Sequence, residues 1–155
     1  MADIDDIGAL LGRVPTPEID DVRALKTNWL YCLLVHVRDD TPEQIRRNVE
    51  RCVPVYVKHH GAIVDMTASF QFVAFGVHGQ AKTECRERSR AVVNELRATC
   101  GEDVRILAFD GDLAYGNIGT DERMNYTVFV PKFDRFLAAL LKTEFGGITE
   151  LGTLL

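Results

Sequence analysis

The segment GDLAYGNIGTDERMNYTVF, Gly111 to Phe129, joins a glycine-rich stretch to a run of strand-forming residues. Its glycines lie at positions 111, 116 and 119, and the Asn-Tyr-Thr-Val-Phe that closes it is typical of a strand. Glycine-rich segments beside strands either bind a phosphate or let two backbones approach closely. A phosphate site would also need cations or metal ligands elsewhere in the chain.

Length and composition indicate a single globular domain. The 155 residues are 46% apolar and 26% charged. The formal net charge of −5 argues against non-specific binding to nucleic acid or to an anionic membrane surface, so we expect neither partner. Residues 1–26 are acidic and interrupted by Pro15 and Pro17. They predict an arm or linker that precedes a domain over residues 27–155.

The chain shows no sign of secretion or of membrane insertion. Its amino terminus lacks the basic and apolar regions of a signal peptide, and no apolar run reaches membrane-spanning length. The four cysteines, at positions 32, 52, 85 and 100, include no Cys-x-x-Cys pair. These features predict a cytoplasmic protein in which each cysteine is a small core residue.

The apolar pattern predicts an α+β fold. Residues 28–37 form a near-continuous apolar run, which is typical of a buried central strand. Thr41-Pro42, followed by Gln44, predicts a capped helix start. Further strands are expected over 62–65, 70–75, 104–109, 113–118, 125–130 and 148–151, with a tight turn at Asp110-Gly111, and further helices over 81–99 and 131–143. This order favours a mostly antiparallel sheet with helices packed on one face.

Gly111 to Gly119, followed by Asn125-Tyr126-Thr127-Val128, resembles the motif of class III adenylate and guanylate cyclase catalytic domains. In that family a Gly-x-x-x-x-Gly-Asn-Ile-Gly segment precedes Asp-Tyr-Thr-Val. The resemblance extends over about residues 29–151. It implies a ferredoxin-like βαββαβ core.

The resemblance also implies a chemistry whose ligands this sequence lacks. In the family, two aspartates hold two Mg²⁺ ions that assist attack of the ribose 3′-hydroxyl on the α-phosphate. The first position corresponds here to His36, and the second to Ser69 or Phe70. A neutral imidazole prefers zinc or copper to Mg²⁺, so we expect no metal at these positions. Asp39, Asp40 and Asp65 would be the Mg²⁺ or Mn²⁺ ligands if the chain were nevertheless an enzyme.

The family's transition-state and purine-binding positions are also altered. Its Asn and Arg, four residues apart on the helix after the motif, correspond to Asp134 and Ala138. An alanine cannot replace a bidentate arginine, so no catalytic residue is expected. Remaining candidates for nucleotide contacts are Asn125, Arg123 and Arg135.

These substitutions favour a catalytically silent cyclase-like domain that serves as a regulatory or dimerisation module in signalling. The resemblance implies a homodimer or a cyclase-like partner, with Gly116, Asn117, Ile118 and Gly119 at the dimer seam. On this view the glycines serve close backbone approach. Two alternatives stay open: a divergent adenylate or guanylate cyclase that uses ATP or GTP, and a metal-independent nucleotide or anion sensor that uses Arg123, Lys132 and Arg135.

Overall fold

The computed structural model describes residues 25–120 and 123–151, so almost all of the arm expected over residues 1–26 lies outside the described residues. No helix within those ranges has the length and hydrophobicity needed to span a membrane. The elements are β1 (Lys26–Val37), α1 (Pro42–Lys58), β2 (Ala62–Met66), β3 (Phe70–Phe75), α2 (Lys82–Cys100), β4 (Val104–Thr120), β5 (Arg123–Val128), α3 (Phe133–Lys142) and β6 (Ile148–Glu150).

The strands form one mixed sheet in the order β2-β3-β1-β4-β5. All neighbouring pairs along this path are antiparallel. The short β6 runs parallel to the first part of β4, where Ile106 pairs with Ile148. The predicted α+β class with a mostly antiparallel sheet is therefore confirmed.

The central strand β1 is apolar on both faces because helices cover both sides of the sheet. Leu33, Val35 and Val37 pack in one core with residues of α1 and α2, such as Tyr56 and Leu96. The alternate residues of β1 pack in a second core that contains Phe136 and Leu140 of α3. The expectation that the helices pack on one face holds for α1 and α2, whereas α3 lies on the opposite face. The unbroken apolar run in β1 was the signal for two covered faces.

The turn predicted at Asp110-Gly111 is wrong, because β4 continues through it as a single strand of 17 residues. Asp110 pairs with Tyr31 and Gly111 with Leu30, so the long partner strand β1 extends the ladder past both residues. The Trp29 indole N–H also donates a hydrogen bond to the Asp110 carboxylate, at 3.1 Å. The glycine-rich segment is therefore a strand that pairs first with β1 and then with β5.

The end of β1 leads directly into the cap of α1, as the sequence predicts. The Thr41 hydroxyl accepts a hydrogen bond from the Gln44 backbone N–H at 3.1 Å. The Gln44 side chain in turn accepts one from the Asp40 backbone N–H at 3.1 Å. These two bonds satisfy N–H groups that the helix start would leave unpaired. They fix the backbone of Asp39 and Asp40 next to the end of the central strand.

Candidate functional site

His36, which the sequence resemblance predicts at the first metal position, lies near the carboxyl end of β1. It pairs with Phe70 of β3 on one side and with Arg105 of β4 on the other. The residue is only 6% exposed. Its ring stacks on Phe70, with the ring centroids 4.3 Å apart and the planes 5° from parallel. Phe145 covers a further side at 5.4 Å between centroids.

Both ring nitrogens of His36 have hydrogen-bond partners. The Arg105 Nε–H donates to Nδ1 at 2.8 Å, and Nε2 lies 3.4 Å from an Asp39 carboxylate oxygen. Because a guanidinium only donates, Nδ1 must carry a lone pair, and the proton of the neutral ring then sits on Nε2 and faces Asp39. The partners therefore define a neutral imidazole with neither nitrogen available to a metal.

Burial is the main cause that lowers the pKa of His36 below its usual 6.5, and the Arg105 charge lowers it further. The hydrogen bond to Asp39 acts in the opposite direction. The pKa of Asp39 is itself lowered, chiefly by its hydrogen bond with His36. A neutral imidazole beside an ionised carboxylate is therefore the favoured state of this pair near neutral pH.

Arg105 joins β4 to the end of α3. Its Nη1 donates to the backbone carbonyl of Leu141 at 3.0 Å and to that of Thr143 at 3.1 Å. Carbonyls at a helix carboxyl terminus carry partial negative charge, so they suit a cation. The guanidinium also lies 4.5 Å from the Phe145 ring centroid, and that of Arg38 lies at 4.3 Å. We call His36, Asp39, Phe70, Arg105 and Phe145 the β1-end cluster.

His36 and Ser69, which the sequence resemblance predicts at the two metal positions, do not fit a pair of Mg²⁺ ions. His36 offers no free lone pair, and the adjacent guanidinium would repel a divalent cation. At the second position, Ser69 uses its backbone carbonyl to accept a hydrogen bond from the Val37 N–H at 2.9 Å. Across the described ranges, no group of three or more histidine, cysteine or acidic side chains is arranged to hold a metal.

The three alternative carboxylates do not come together as a site. Asp39 contacts His36, whereas the exposed Asp40 precedes the α1 cap. Asp65 lies on β2, which β3 separates from β1. Its carboxylate accepts a hydrogen bond from the neighbouring Met66 N–H at 2.9 Å.

The candidate residues of α3 and β5 belong to a different part of the domain. Asp134, Arg135 and Ala138 are all exposed on α3. Arg123 and Asn125 lie on β5, where Asn125 pairs with Ile118. The expected seam residues Gly116 to Gly119 all lie in β4 and all pair with β5. The ladder thus places Asn125 directly beside the seam strand.

Arg105 and Phe145 complete the β1-end cluster, and sequence reasoning did not identify them. The signal for Arg105 was a single cation in the otherwise apolar stretch Val104 to Phe109. Such a residue needs partners when its strand is central in a sheet. Phe145 follows α3 and lies in a loop, so no periodic pattern marked it.

Solved nucleotide cyclases share this arrangement of strands and helices. A guanylyl cyclase crystal structure aligns with a TM-score of 0.59 at 18% sequence identity, over 80% of this chain and 75% of that chain. The adenylyl cyclase CyaB from P. aeruginosa aligns with a TM-score of 0.60 at 16% identity, over 81% and 77% of the two chains. The chain has the fold of a class III nucleotide cyclase catalytic domain.

A third structure with the cyclase fold is a non-canonical dimeric guanylyl cyclase domain of the RhoGC fusion protein from the aquatic fungus Blastocladiella emersonii. It aligns with a TM-score of 0.63 at 10% identity, over 79% of each chain. No protein-family model matches the chain, and no curated protein matches its sequence. The likeness is therefore one of fold.

Proposed function

We propose that this chain is a catalytically silent cyclase-fold domain that acts as a cytoplasmic regulatory or dimerisation module in signalling. The observation that carries the proposal is the engagement of both His36 ring nitrogens, by Arg105 and by Asp39. The position where the cyclase reaction needs an anionic metal ligand holds a neutral ring in contact with a fixed cation.

The electrostatics of the β1-end cluster support this proposal. Cyclisation needs cations that neutralise the developing phosphate charge, and bound metals supply most of that effect. A metal at His36 would lie close to the Arg105 guanidinium, where each pair of unit charges about 4 Å apart repels by roughly 4 kcal/mol at an effective dielectric constant of 20. The single exposed carboxylate of Asp39 does not offset this repulsion. It also does not replace the imidazole nitrogen as a metal ligand, since both nitrogens of His36 already have hydrogen-bond partners.

The α3 residues at the predicted transition-state positions support the same conclusion. Asp134 is an exposed anion where the cyclase pattern has a neutral amide donor, so it would repel a phosphate. Ala138 has no donor at all. Arg135 lies one helical turn before Ala138 on the same face of α3, so it reaches only part of the way towards that position and is a weak replacement for the missing arginine.

A pairing role is the part of the family behaviour that the chain can still supply. The β4–β5 strand pair contains the expected seam. Phe129, whose backbone N–H donates to the Ala114 carbonyl of β4 at 2.9 Å, has a side chain that is 38% exposed beside this pair. Exposed aromatic residues near one strand pair are typical of an interaction surface. A second copy of this chain, or another cyclase-fold domain, is the proposed partner.

An activity assay tests the silent-domain proposal. The purified protein is incubated with ATP or GTP and either Mg²⁺ or Mn²⁺, and cyclic nucleotide is measured by mass spectrometry. We expect no product above the protein-free control. Cyclic product that is lost in an Asp39→Asn, Asp40→Asn double variant, but not in Asp65→Asn, would identify a divergent cyclase with relocated ligands.

Two further measurements separate the pairing role from ligand sensing. Sedimentation over a range of concentrations should show a dimer that Phe129→Glu weakens, whereas a monomer at all concentrations contradicts the homodimer. Thermal shift with ATP or GTP in the presence of EDTA tests the anion sensor, since a bound ligand raises the melting temperature. A shift that Arg135→Ala removes would favour sensing over pairing.

A further inference from the structure

Two of the four buried cysteines face each other between the helices of one layer. Cys52 lies on α1 and Cys100 is the last residue of α2, and their Sγ atoms are 3.9 Å apart. Cys32 lies in the opposite core, and the Cys85 thiol instead lies 3.8 Å from the Gln80 carbonyl. The 52–100 pair is therefore the one whose sulfur atoms already contact each other.

We propose that Cys52 and Cys100 form an oxidation site that hydrogen peroxide, or a small organic peroxide, converts to a disulfide linking α1 to α2. A disulfide has an S–S bond of about 2.05 Å, so the two sulfur atoms must approach by roughly 1.9 Å. Small rotations of two unbranched side chains supply most of such a movement.

The surroundings assign different roles to the two thiols. The pKa of Cys100 is lowered, chiefly because Cys52 can donate a hydrogen bond to its sulfur, and the Arg51 charge lowers it further. Burial and the Asp103 charge oppose that effect. The pKa of Cys52 is raised, chiefly by the same hydrogen bond and by burial. Cys100 is thus the attacking thiolate and Cys52 the thiol that resolves the intermediate.

The oxidation balances with peroxide as the only co-reactant. The Cys100 thiolate forms an S–O bond with one peroxide oxygen while the O–O bond breaks, and the hydroxide that leaves takes up a proton to give water. The Cys52 sulfur then loses its proton and forms the S–S bond while the S–O bond breaks, which releases a second water. Two thiols are oxidised, and one hydrogen peroxide is reduced to two waters; an organic peroxide would instead give one alcohol and one water.

Cys100 is the more accessible of the two buried thiols. It is 6% exposed at the helix end, whereas Cys52 is fully buried. The next two residues, Gly101 and Glu102, line a surface groove of about 600 Å³ that also contains Phe145. Thiol oxidation follows thiolate character and access, and both favour Cys100 over Cys52.

The disulfide would also affect the β1-end cluster through the turn that follows α2. Arg38 donates to the Glu102 carbonyl at 3.0 Å, and its backbone N–H donates to the Asp103 carbonyl at 2.8 Å. Arg51, beside Cys52, lies 3.9 Å from the Asp103 carboxylate. A link between Cys52 and Cys100 therefore restrains the turn whose Glu102 and Asp103 carbonyls accept hydrogen bonds from Arg38.

Mass spectrometry of the full chain tests the site. After treatment with hydrogen peroxide under native conditions, we expect the intact mass to fall by about 2 Da, because two thiol hydrogens leave. Digestion should yield a linked 52–100 peptide, and dithiothreitol should restore the original mass. Oxidised protein should melt about 5–10 °C higher than reduced protein, since the link closes a long loop of the unfolded chain.

Single variants provide the controls. Cys85→Ser retains a hydroxyl that can donate to the Gln80 carbonyl and should still lose about 2 Da, whereas Cys52→Ser should stop at a mass gain of about 16 Da or more, because no thiol resolves the sulfenic acid. If a variant does not fold, the peptide map of the unaltered chain decides. No change at the cysteines, oxygen addition at Cys52 or Cys100 of the unaltered chain in place of the link, or a link through Cys32 or Cys85 would each overturn the proposal; the peptide map separates these outcomes from oxidation of the three methionines.

Discussion

The two ends of β1 are held by different kinds of contact. At its amino end, the backbone of β1 approaches glycines: a Cβ atom on Gly76 would lie 2.6 Å from the Trp29 carbonyl oxygen. The Asn28 side chain also donates to the Gly76 carbonyl at 2.7 Å. At its carboxyl end, side chains hold the strand, since His36 lies between Phe70, Arg105 and Phe145.

The two kinds of contact have different consequences for the fold and for ligand binding. Close backbone approach depends on the absence of a side chain and is indifferent to what the domain binds. Charged and aromatic side chains at a strand end instead decide which ion or ligand can enter. The amino end of β1 is therefore held by close backbone contacts, while the carboxyl end holds a neutral imidazole and a guanidinium beside the position where the sequence resemblance predicts a metal-binding carboxylate.

The largest effect is expected from Gly76→Ala at the amino end. The residue has a φ of 113° and no room for a Cβ beside the Trp29 carbonyl. We expect a loss of about 3 kcal/mol in the free energy of unfolding, measured by urea denaturation. Gly79→Ala is the matched control, because its φ of 77° is also unfavourable but the space around it is open. That variant should lose only about 1 kcal/mol.

Arg105→Ala tests the carboxyl end. The substitution removes one hydrogen bond to His36 and two to the carbonyls that end α3. We expect a loss of about 2 kcal/mol, because the half-buried acceptors on His36 and Thr143 are left unpaired. Arg90→Ala, on the exposed side of α2, should change stability by less than about 0.5 kcal/mol. Equal effects of the two substitutions would show that the β1-end cluster does not hold the strand.

Gly116→Ala should have a smaller effect than Gly76→Ala, although Gly116 lies in the segment that resembles the cyclase motif. Its Cβ would lie 3.1 Å from the end of the Leu25 side chain, and the φ is 156°. Because Leu25 is partly exposed and can move, we expect a loss of about 1 kcal/mol. Leu25→Ala in the same chain should reduce that loss. A cost as large as that of Gly76→Ala would mean that the seam strand tolerates no side chain at all.

The smallest expected effect is a dependence of stability on pH. Because the pKa of His36 in the folded protein lies below 6.5, the unfolded chain takes up this proton more readily. The contribution is fully present above pH 6.5 and is lost as the pH falls towards the folded-state pKa. The lowered pKa of Asp39 acts in a separate window, below pH 3.8.

The free energy of unfolding should therefore rise with pH in the range of the His36 titration. Urea denaturation at a series of pH values between 5 and 7 measures the slope of that rise. His36→Gln should flatten the slope, and a further His78→Gln should flatten it more, because burial also lowers the pKa of His78. A slope that His36→Gln leaves unchanged would contradict a neutral His36 in the folded protein.

Most secondary structure followed from local pattern. The cap at Thr41, the hairpin formed by β2 and β3 and the long helix α2 all lie where the sequence predicted them. The failure at Asp110-Gly111 has a clear cause: a turn signal loses when a twelve-residue neighbour, β1, offers continuous backbone partners. Turn propensity is a property of the local segment, whereas a strand is also stabilised by hydrogen bonds and side-chain contacts with the neighbouring strand.

Sequence by itself determined the apolar run of β1, the glycines at points of close approach and the likeness of residues 111–128 to the cyclase motif, because each depends on side-chain size and order along the chain. Only the tertiary structure decided what surrounds His36. Arg105 and Phe145 come from positions far along the chain, and the sheet register and the end of α3 bring them together. The same is true of Cys52 and Cys100, whose sulfur atoms contact each other because two helices pack side by side on one face of the sheet.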